Sequence, residues 1–554
     1  MVFKNNGDIY AFESVPFWKA MRISSEIPKR RFTELFGAEK RNMETPEDAI
    51  EFLCPLVEQY QEKLYEYIKK YNSSEVIKNL YRILDECYQY YICQKKARIK
   101  LRDIGVRDVE IYNEYGDNRN IAMNTLSAVN LWIENSLLYQ ENNEVGYDED
   151  NIELDPILLV DLYVYGLISR SLSLLRMNVN INGHRLFTGL EINLDNAEPL
   201  TLLRYHPVVY YNPIIAGNQD VFRVSADEIK NCSKSPFGTA FYEEFGVDFA
   251  TSLGLILNFQ KYILDDGKYA FTVIDRSDFL GIIREYSNEN VDPKKFFDTF
   301  VLTKEKVQGQ LKTNKKGQVD PIIWMMGTNR YRHELCPFAC LADNKVIMSY
   351  AALGQAANIW HSFYANGGMM YTNQKDRVTR AIGERNEELS NRLVDQLLEI
   401  LNKNYTAGFS EKDVKYKRIF GSKEYNYGDY DVVFYAKDIN ELFLIEAKFF
   451  SDSLNNSGYL TDYKKLYDKN GYYEHCRKRY ELVLQEPEKM KKFINAKGNL
   501  KVHFLFVSSK PLEIDFMDSD GIVVFPCLSI FEDYINGKLI SEDGKETIRP
   551  VHII

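Results

Sequence analysis

Residues 428–450 read GDYDVVFYAKDINELFLIEAKFF, two apolar runs joined by the polar turn KDINE. Strand side chains alternate between faces with period two. Asp429, Asp431 and Val433 therefore share one face of the first run, and Leu442, Leu444, Glu446 and Lys448 share one face of the second. A hairpin sets Asp431 beside Glu446 and Lys448. A glutamate and a lysine inside an otherwise apolar strand carry a large desolvation cost unless they are partnered. Either the strand is an edge with its charges in water, or Glu446 and Lys448 merely neutralise one another, or the three residues form one site. The first two options leave the placement of Asp431 a coincidence.

The third gives each residue type a task. Two carboxylates from adjacent strands can hold Mg²⁺ through hard oxygen ligands, with water and a substrate phosphate completing the octahedron. The ion lowers the pKa of a water and screens the charge that develops on a phosphodiester. A lysine two residues on, on the same face, orients the attacking water and stabilises its deprotonated form.

G-D-Y-D-V-V-F followed by L-I-E-A-K resembles the PD-(D/E)xK nuclease superfamily, the fold of restriction endonucleases, archaeal Holliday-junction resolvases and many bacterial defence nucleases. The resemblance covers the C-terminal third, in the order helix, strand, strand, strand, helix, strand, strand. It implies a restriction-endonuclease-like α/β/α domain with a mixed central sheet over residues 371–554. It makes Asp431 the metal-binding acid, Glu446 the second metal ligand and Lys448 the catalytic lysine. Glu387 matches the accessory acid of the first helix, with Glu384 and Glu388 as rivals. Tyr430 stands where the name-giving proline would be, which leaves Asp429 as a substitute ligand. The implied cofactor is Mg²⁺, with Mn²⁺ able to substitute, and the implied activity is endonucleolytic cleavage of nucleic acid, DNA ahead of RNA. By analogy alone, an antiphage or restriction role is expected, with a homo-oligomer or a partner protein of a defence system. The alternatives are a DNA-repair nuclease and a catalytically silent nucleic-acid-binding or scaffold protein.

The flanks extend this reading. Ile382, Leu389, Leu393, Leu397 and Ile400 form an apolar stripe on a helix, and VKYKRIF (414–420) reads as the first strand. After Lys448 a polar loop leads into one long helix, 460–484, whose Lys464, Lys465, Arg477, Lys478 and Arg479 are expected either to contact phosphates or to form a solvated face. His475, on the same helix, is expected to be a surface or phosphate-side histidine. KVHFLFVS (501–508) and GIVVF (521–525) supply buried strands.

A chain of 554 residues is too long for one core. The expected class is a multidomain α+β protein with a mostly helical N-terminal domain (1–180) and a mixed α/β middle, sensor or regulatory, region (181–370). Thr45-Pro46-Glu47-Asp48 is a helix start. Leu53, Val57, Tyr60, Leu64, Ile68 and Tyr71 follow at helical spacing, and Ile77, Leu80, Leu84, Cys87 and Tyr91 continue the pattern after a break at 72–75. Two antiparallel helices are expected. A third runs from about Asn120 to Leu138, an acidic loop (141–151) follows, and Asp155-Pro156 opens a fourth. In the middle region YAFTVI (269–274) and KVIMSY (345–350) read as strands, the segments near 240–264 and 351–364 as helices, and QGQLKTNKKGQVDP (308–321) as a loop. No phosphate-binding glycine loop and no internal repeat appears.

Net charge is −11. Residues 411–510 nevertheless hold 19 Lys+Arg against 15 Asp+Glu, a local excess of +4 on an acidic body. A nuclease cleft needs positive potential only where the backbone lies. The most apolar stretch, Ile157 to Leu175, contains Asp161 and Arg170 and reads as a core helix, so no membrane span is expected. The N-terminus lacks a basic region followed by an apolar run, and the eight cysteines have no paired spacing, so a cytoplasmic protein with reduced thiols is expected. His333, Cys336 and Cys340 offer three soft metal ligands but no nearby fourth; a buried turn leading into a strand is the expected alternative to zinc.

Overall fold

The capping signal at Thr45 works as written. In the computed structural model the Thr45 hydroxyl accepts the Asp48 N–H at 3.1 Å and the helix Pro46–Lys70 follows, burying Leu53, Val57, Tyr60, Leu64 and Ile68. The structure describes the chain except residues 1, 6–7, 12–25, 72, 104–108, 140–155, 197, 205–223, 225, 266–270, 288–290, 311–318, 328, 369–376, 453–455, 513 and 540–546. The acidic loop and most of the 308–321 loop fall outside the described residues.

The helices Ser73–Asp103, Val109–Leu138 and Pro156–Arg176 complete the N-terminal body. The expected antiparallel pair of the first two helices is not the main packing. Ser73–Asp103 packs on Val109–Leu138, and Pro46–Lys70 packs on Pro156–Arg176, with little contact between the two neighbours in sequence. The fourth helix, apolar nearly all round, packs on both Val109–Leu138 and Pro46–Lys70 and so takes up the apolar stripe of the first. Within Pro156–Arg176, residues Ile157–Arg176 are long and apolar enough to cross a membrane, but 83% of that window is buried inside the protein. Gly166 permits the close crossing with Val109–Leu138, since a Cβ there would lie 2.0 Å from the Asn124 carbonyl oxygen.

The middle region adds an antiparallel sheet on Arg41–Met43, Phe187–Ile192 and Leu200–Arg204. A four-stranded sheet contains Phe271–Asp275 and Lys345–Ser349, as the sequence predicts. The expected helix near 240–264 is two, Pro236–Phe245 and Phe249–Asp265, separated where Gly246 turns left-handed at φ 69°. One hydrophobic cluster runs from Phe32 to Ile382 through all of these elements. The soft-ligand cluster belongs to it. His333 is fully buried, with Nδ1 2.7 Å from Asn130 Oδ1 and Nε2 2.7 Å from Tyr81 Oη. The Cys336 thiol faces the Thr299 carbonyl. Each is consumed in packing and hydrogen bonding, and Phe338–Cys340 is the strand that follows the turn. Burial pushes the nearby Glu134 carboxyl up to about 8 against the pull of Arg332, while Trp324 Nε1–H and the His333 N–H satisfy its oxygens.

The C-terminal region is a five-stranded mixed sheet with helices on both faces. Ala407–Lys415, Asp429–Ala436 and Glu441–Lys448 are antiparallel neighbours, Lys501–Ser508 runs parallel to the third, and His552–Ile553 closes the far edge. The helix Arg377–Asn404 lays Leu389, Leu393, Leu397 and Leu401 on one face beside Leu528–Ile535, against Val432, Phe434 and Ile445. Tyr472–Gln485 and Pro487–Ile494 cover the other, against Val433, Leu442, Leu444 and Phe504. The first turns of Arg377–Asn404 instead bury Val378, Ala381 and Ile382 in the N-terminal cluster, so one helix serves two cores.

Three expectations about this region change. Residues 416–420 form a helical turn, not strand, because Tyr416, Ile419 and Phe420 bury at helical spacing and Gly421 ends the turn at φ 76°. The long helix is split into Asn456–Tyr467 and Tyr472–Gln485. At the split the backbone turns through Asn470 at φ 61°, and Gly471 packs where a Cβ would lie 2.6 Å from the Leu466 carbonyl oxygen. Residues 521–525 make only isolated bridges, with Val524 hydrogen-bonded to Phe504 and Phe506. Asp518 Oδ1 accepts the Ile522 and Val523 N–H at 2.7 and 3.0 Å, so the first backbone donors of that segment go to the preceding turn and not to a neighbouring strand.

Candidate active site

Glu441–Lys448 is a central strand, paired on both sides and buried along nearly its whole length. The register sets Val432 opposite Ile445, so Asp431 and Glu446 are the next positions out on the same face. The edge-strand alternative therefore fails. Lys448 Nζ lies 2.9 Å from Asp431 Oδ2 and 2.6 Å from Glu446 Oε1, joining all three residues in one cluster. Asp431 Oδ2 also accepts the Ala447 N–H at 2.7 Å, which fixes the carboxylate against the neighbouring strand.

The cluster is graded in exposure. The side chains of Asp431 and Lys448 are 19% and 23% exposed, while that of Glu446 is 8% exposed. Burial pushes the Glu446 carboxyl upward, opposed by the Arg479 guanidinium and the Lys448 ammonium. Burial also disfavours the Lys448 charge, but Glu446 and Asp431 outweigh it and hold the ammonium above the ordinary lysine range. Lys448 is thus held as a cation that donates hydrogen bonds to both carboxylates.

Glu446 has a second partner that sequence reasoning placed in solvent. Arg479 is buried, pairs with Glu446 Oε2 and donates from Nη1 to the Tyr427 carbonyl at 2.8 Å. Next to it the Tyr480 hydroxyl donates to the Leu505 carbonyl at 2.5 Å and accepts the Glu446 N–H at 3.2 Å, pinning the helix to the strand. The signal was present. Cys476, Arg479, Tyr480 and Val483 recur at helical spacing, and all four are buried. Lys448 Nζ also lies 5.6 Å from the centre of the Tyr472 ring, a contact that no motif announces.

The other predicted residues are dispersed. Lys464 and Lys465 are exposed on Asn456–Tyr467. Arg477 is tied to Glu481 at 2.9 Å and to Asp518 and Asp520. Lys478 pairs with Glu474 at 2.5 Å and covers the Tyr425 ring. His475 is half-buried, its Nδ1 3.0 Å from the Tyr425 hydroxyl. Asp429 is exposed at the strand end, opposite Lys415. Glu384, Glu387 and Glu388 are exposed on Arg377–Asn404, whose sheet-packing stripe lies on the opposite face from Asp431. Glu388 pairs with Arg385 at 2.6 Å. Among the described residues none of these three acids bonds to Asp431, Glu446 or Lys448.

Among the described residues no group of three or more His, Cys, Asp and Glu side chains is placed to hold a metal ion. Two carboxylates nonetheless converge on one positive charge, the Lys448 ammonium. Mg²⁺ keeps several waters and takes one or two carboxylates plus substrate phosphates, so a two-carboxylate donor set fits it where it would not fit zinc. No protein-family model, curated protein or solved structure matches the chain.

Proposed function

We propose that this protein is a Mg²⁺-dependent endonuclease of the PD-(D/E)xK type that hydrolyses phosphodiester bonds, with DNA as the expected substrate. The observation that carries the reading is the convergence of Asp431 and Glu446, from adjacent strands, on the Lys448 ammonium at one end of a buried central sheet. Burying four charged groups is costly, and an apolar strand gains nothing in stability from it that leucine would not supply better. Asp431 and Glu446 would hold the ion; when bound, it supplies Lewis acidity toward the scissile phosphate. Lys448 orients the attacking water and offsets charge on the phosphate oxygens, while the layer of Tyr472–Gln485 limits water access to Glu446. The local excess of basic residues over 411–510 suits a phosphate backbone, and the acidic N-terminal body suits control of the cut rather than coating of DNA. Within this reading, a bacterial antiphage or restriction role ranks ahead of repair.

A second reading has one observation in its favour. Both Glu446 oxygens already face cations, Lys448 and Arg479, which suits a silent nucleic-acid-binding or scaffold protein that keeps the fold without cutting. Wild-type protein and Lys448→Ala incubated with plasmid, linear DNA and RNA, in Mg²⁺ or EDTA, decide between them. Cleavage by the wild type alone, abolished by EDTA, supports the nuclease. Cleavage of nothing supports the scaffold, and equal cleavage by Lys448→Ala refutes the assigned site.

A further inference from the structure

We infer that Arg479 is a positioning residue that sets which oxygen of Glu446 is offered to a divalent cation. This rests on the nuclease reading above and deepens it. An arginine on a helix with a basic exposed face would ordinarily serve as a phosphate contact, but this one is 4% exposed and cannot reach a backbone lying on the surface. Its guanidinium is held at two fixed points, the Tyr427 carbonyl and Glu446 Oε2, and lies over the Tyr430 ring at 5.3 Å.

The segment leading into the Asp431 strand is shaped around it. Gly428 turns left-handed at φ 74°, and a Cβ there would come within 3.0 Å of Arg479 Nη1. Tyr430 supplies the flat surface under the guanidinium, a use for the residue that stands in place of the name-giving proline. With Oε2 held by Arg479, Oε1 is the Glu446 oxygen that faces Lys448 in the space shared with Asp431. An ion held in that space would meet Oε1 of a carboxylate whose other oxygen is already fixed. A planar fork can satisfy a carbonyl and a carboxylate together; a lysine ammonium holds neither in a fixed plane.

Partners that orient a metal ligand typically alter metal affinity by about 10–100-fold when removed. The test is a Mn²⁺ titration of the full chain, followed by the electron-spin signal of the free ion, with thermal melts run alongside. It compares wild type, Asp431→Asn, Arg479→Met and Arg479→Lys. Wild type is expected to bind Mn²⁺ in a manner that Asp431→Asn removes. Arg479→Met is expected to weaken binding by about 10–100-fold, with Arg479→Lys restoring only some of it. If Arg479→Met does not fold, Arg479→Lys decides, because it keeps the charge but not the planar fork and is expected to weaken Mn²⁺ binding in the same direction. A folded Arg479→Met or Arg479→Lys variant that binds Mn²⁺ as the wild type does overturns the inference and makes the pair purely structural. Wild type that binds no Mn²⁺ and cuts nothing overturns the nuclease reading itself, and the positioning role with it.

Discussion

Lys448 Nζ lies 2.9 Å from Asp431 Oδ2 across a strand boundary, although seventeen positions separate the two in sequence. The same ammonium is 2.6 Å from Glu446 Oε1, so one lysine bridges both proposed ligands. Lys448→Ala is expected to lower nucleic-acid cleavage by about 100-fold or more, the scale of losing one preorganised donor that stabilises developing charge. Lys448→Arg is not expected to restore it, because a planar fork does not replace a point charge between two carboxylates. Thermal melting should show both variants folded, since Glu446 keeps Arg479. A variant that cuts within a few fold of wild type would remove Lys448 from the mechanism.

The buried pair of Glu446 and Arg479 makes a separate statement about stability. Removing one partner leaves a charge in a site from which water is largely excluded, at a cost of about 3–5 kcal/mol. Glu446→Leu alone is therefore expected to lower the urea midpoint sharply, and adding Arg479→Met to it to recover much of the loss. Additive losses in the double variant would show that the two residues do not interact.

At the other end of the same strand, Glu441 accepts Arg549 Nη2 at 2.5 Å and faces His503 Nε2 at 3.1 Å. Burial works against its charge, but His503 and Arg549 outweigh it and lower the carboxyl from 4.5 to about 2. A depressed folded value means the stabilisation is complete above the unfolded value and is lost as pH falls from 4.5 toward 2. The size is at most about 3 kcal/mol. Urea midpoints measured across that window should fall for wild type and fall less for Glu441→Gln. Parallel curves would assign the acid limb to other carboxylates.

Gly166 is a close-packing position in the N-terminal body. Its missing Cβ would collide with the Asn124 backbone, so Gly166→Ala must push a pair of buried helices apart, despite alanine's better helix propensity. A loss of about 1–3 kcal/mol is expected from overpacking, seen as a lower melting temperature. An unchanged or raised melting temperature would show that the crossing is looser than the structure places it.

The hairpin and the trio were legible because alternation in LFLIEAKFF leaves little freedom. Once the strand is central, the parity of Glu446 and Lys448 determines their face, and the short turn determines their partner. The pairing of the N-terminal helices was not legible, because each stripe is compatible with several partners and the choice is made by a helix some 80 residues away in the chain. Arg479 was misplaced for a related reason. In EHCRKR all but the cysteine are polar, and a solvated face is the ordinary meaning of such a run. Only the periodic positions of Cys476, Tyr480 and Val483 mark the one arginine that turns inward. The break at 468–471 was missed because its polar residues also suit an exposed helical surface, whereas the backbone at Asn470 and Gly471 requires a turn.

The helix Arg377–Asn404 is owned by neither half of the molecule. A fragment starting at residue 371 would carry Val378, Ala381 and Ile382 with nothing to cover them, and a fragment ending there would leave a matching gap in the N-terminal cluster. Gene shuffling that moved the sheet into a new chain would therefore transplant a sticky, half-clothed helix along with it. The C-terminal sheet of this protein is a poor candidate for independent inheritance, and the two halves are expected to travel through evolution together.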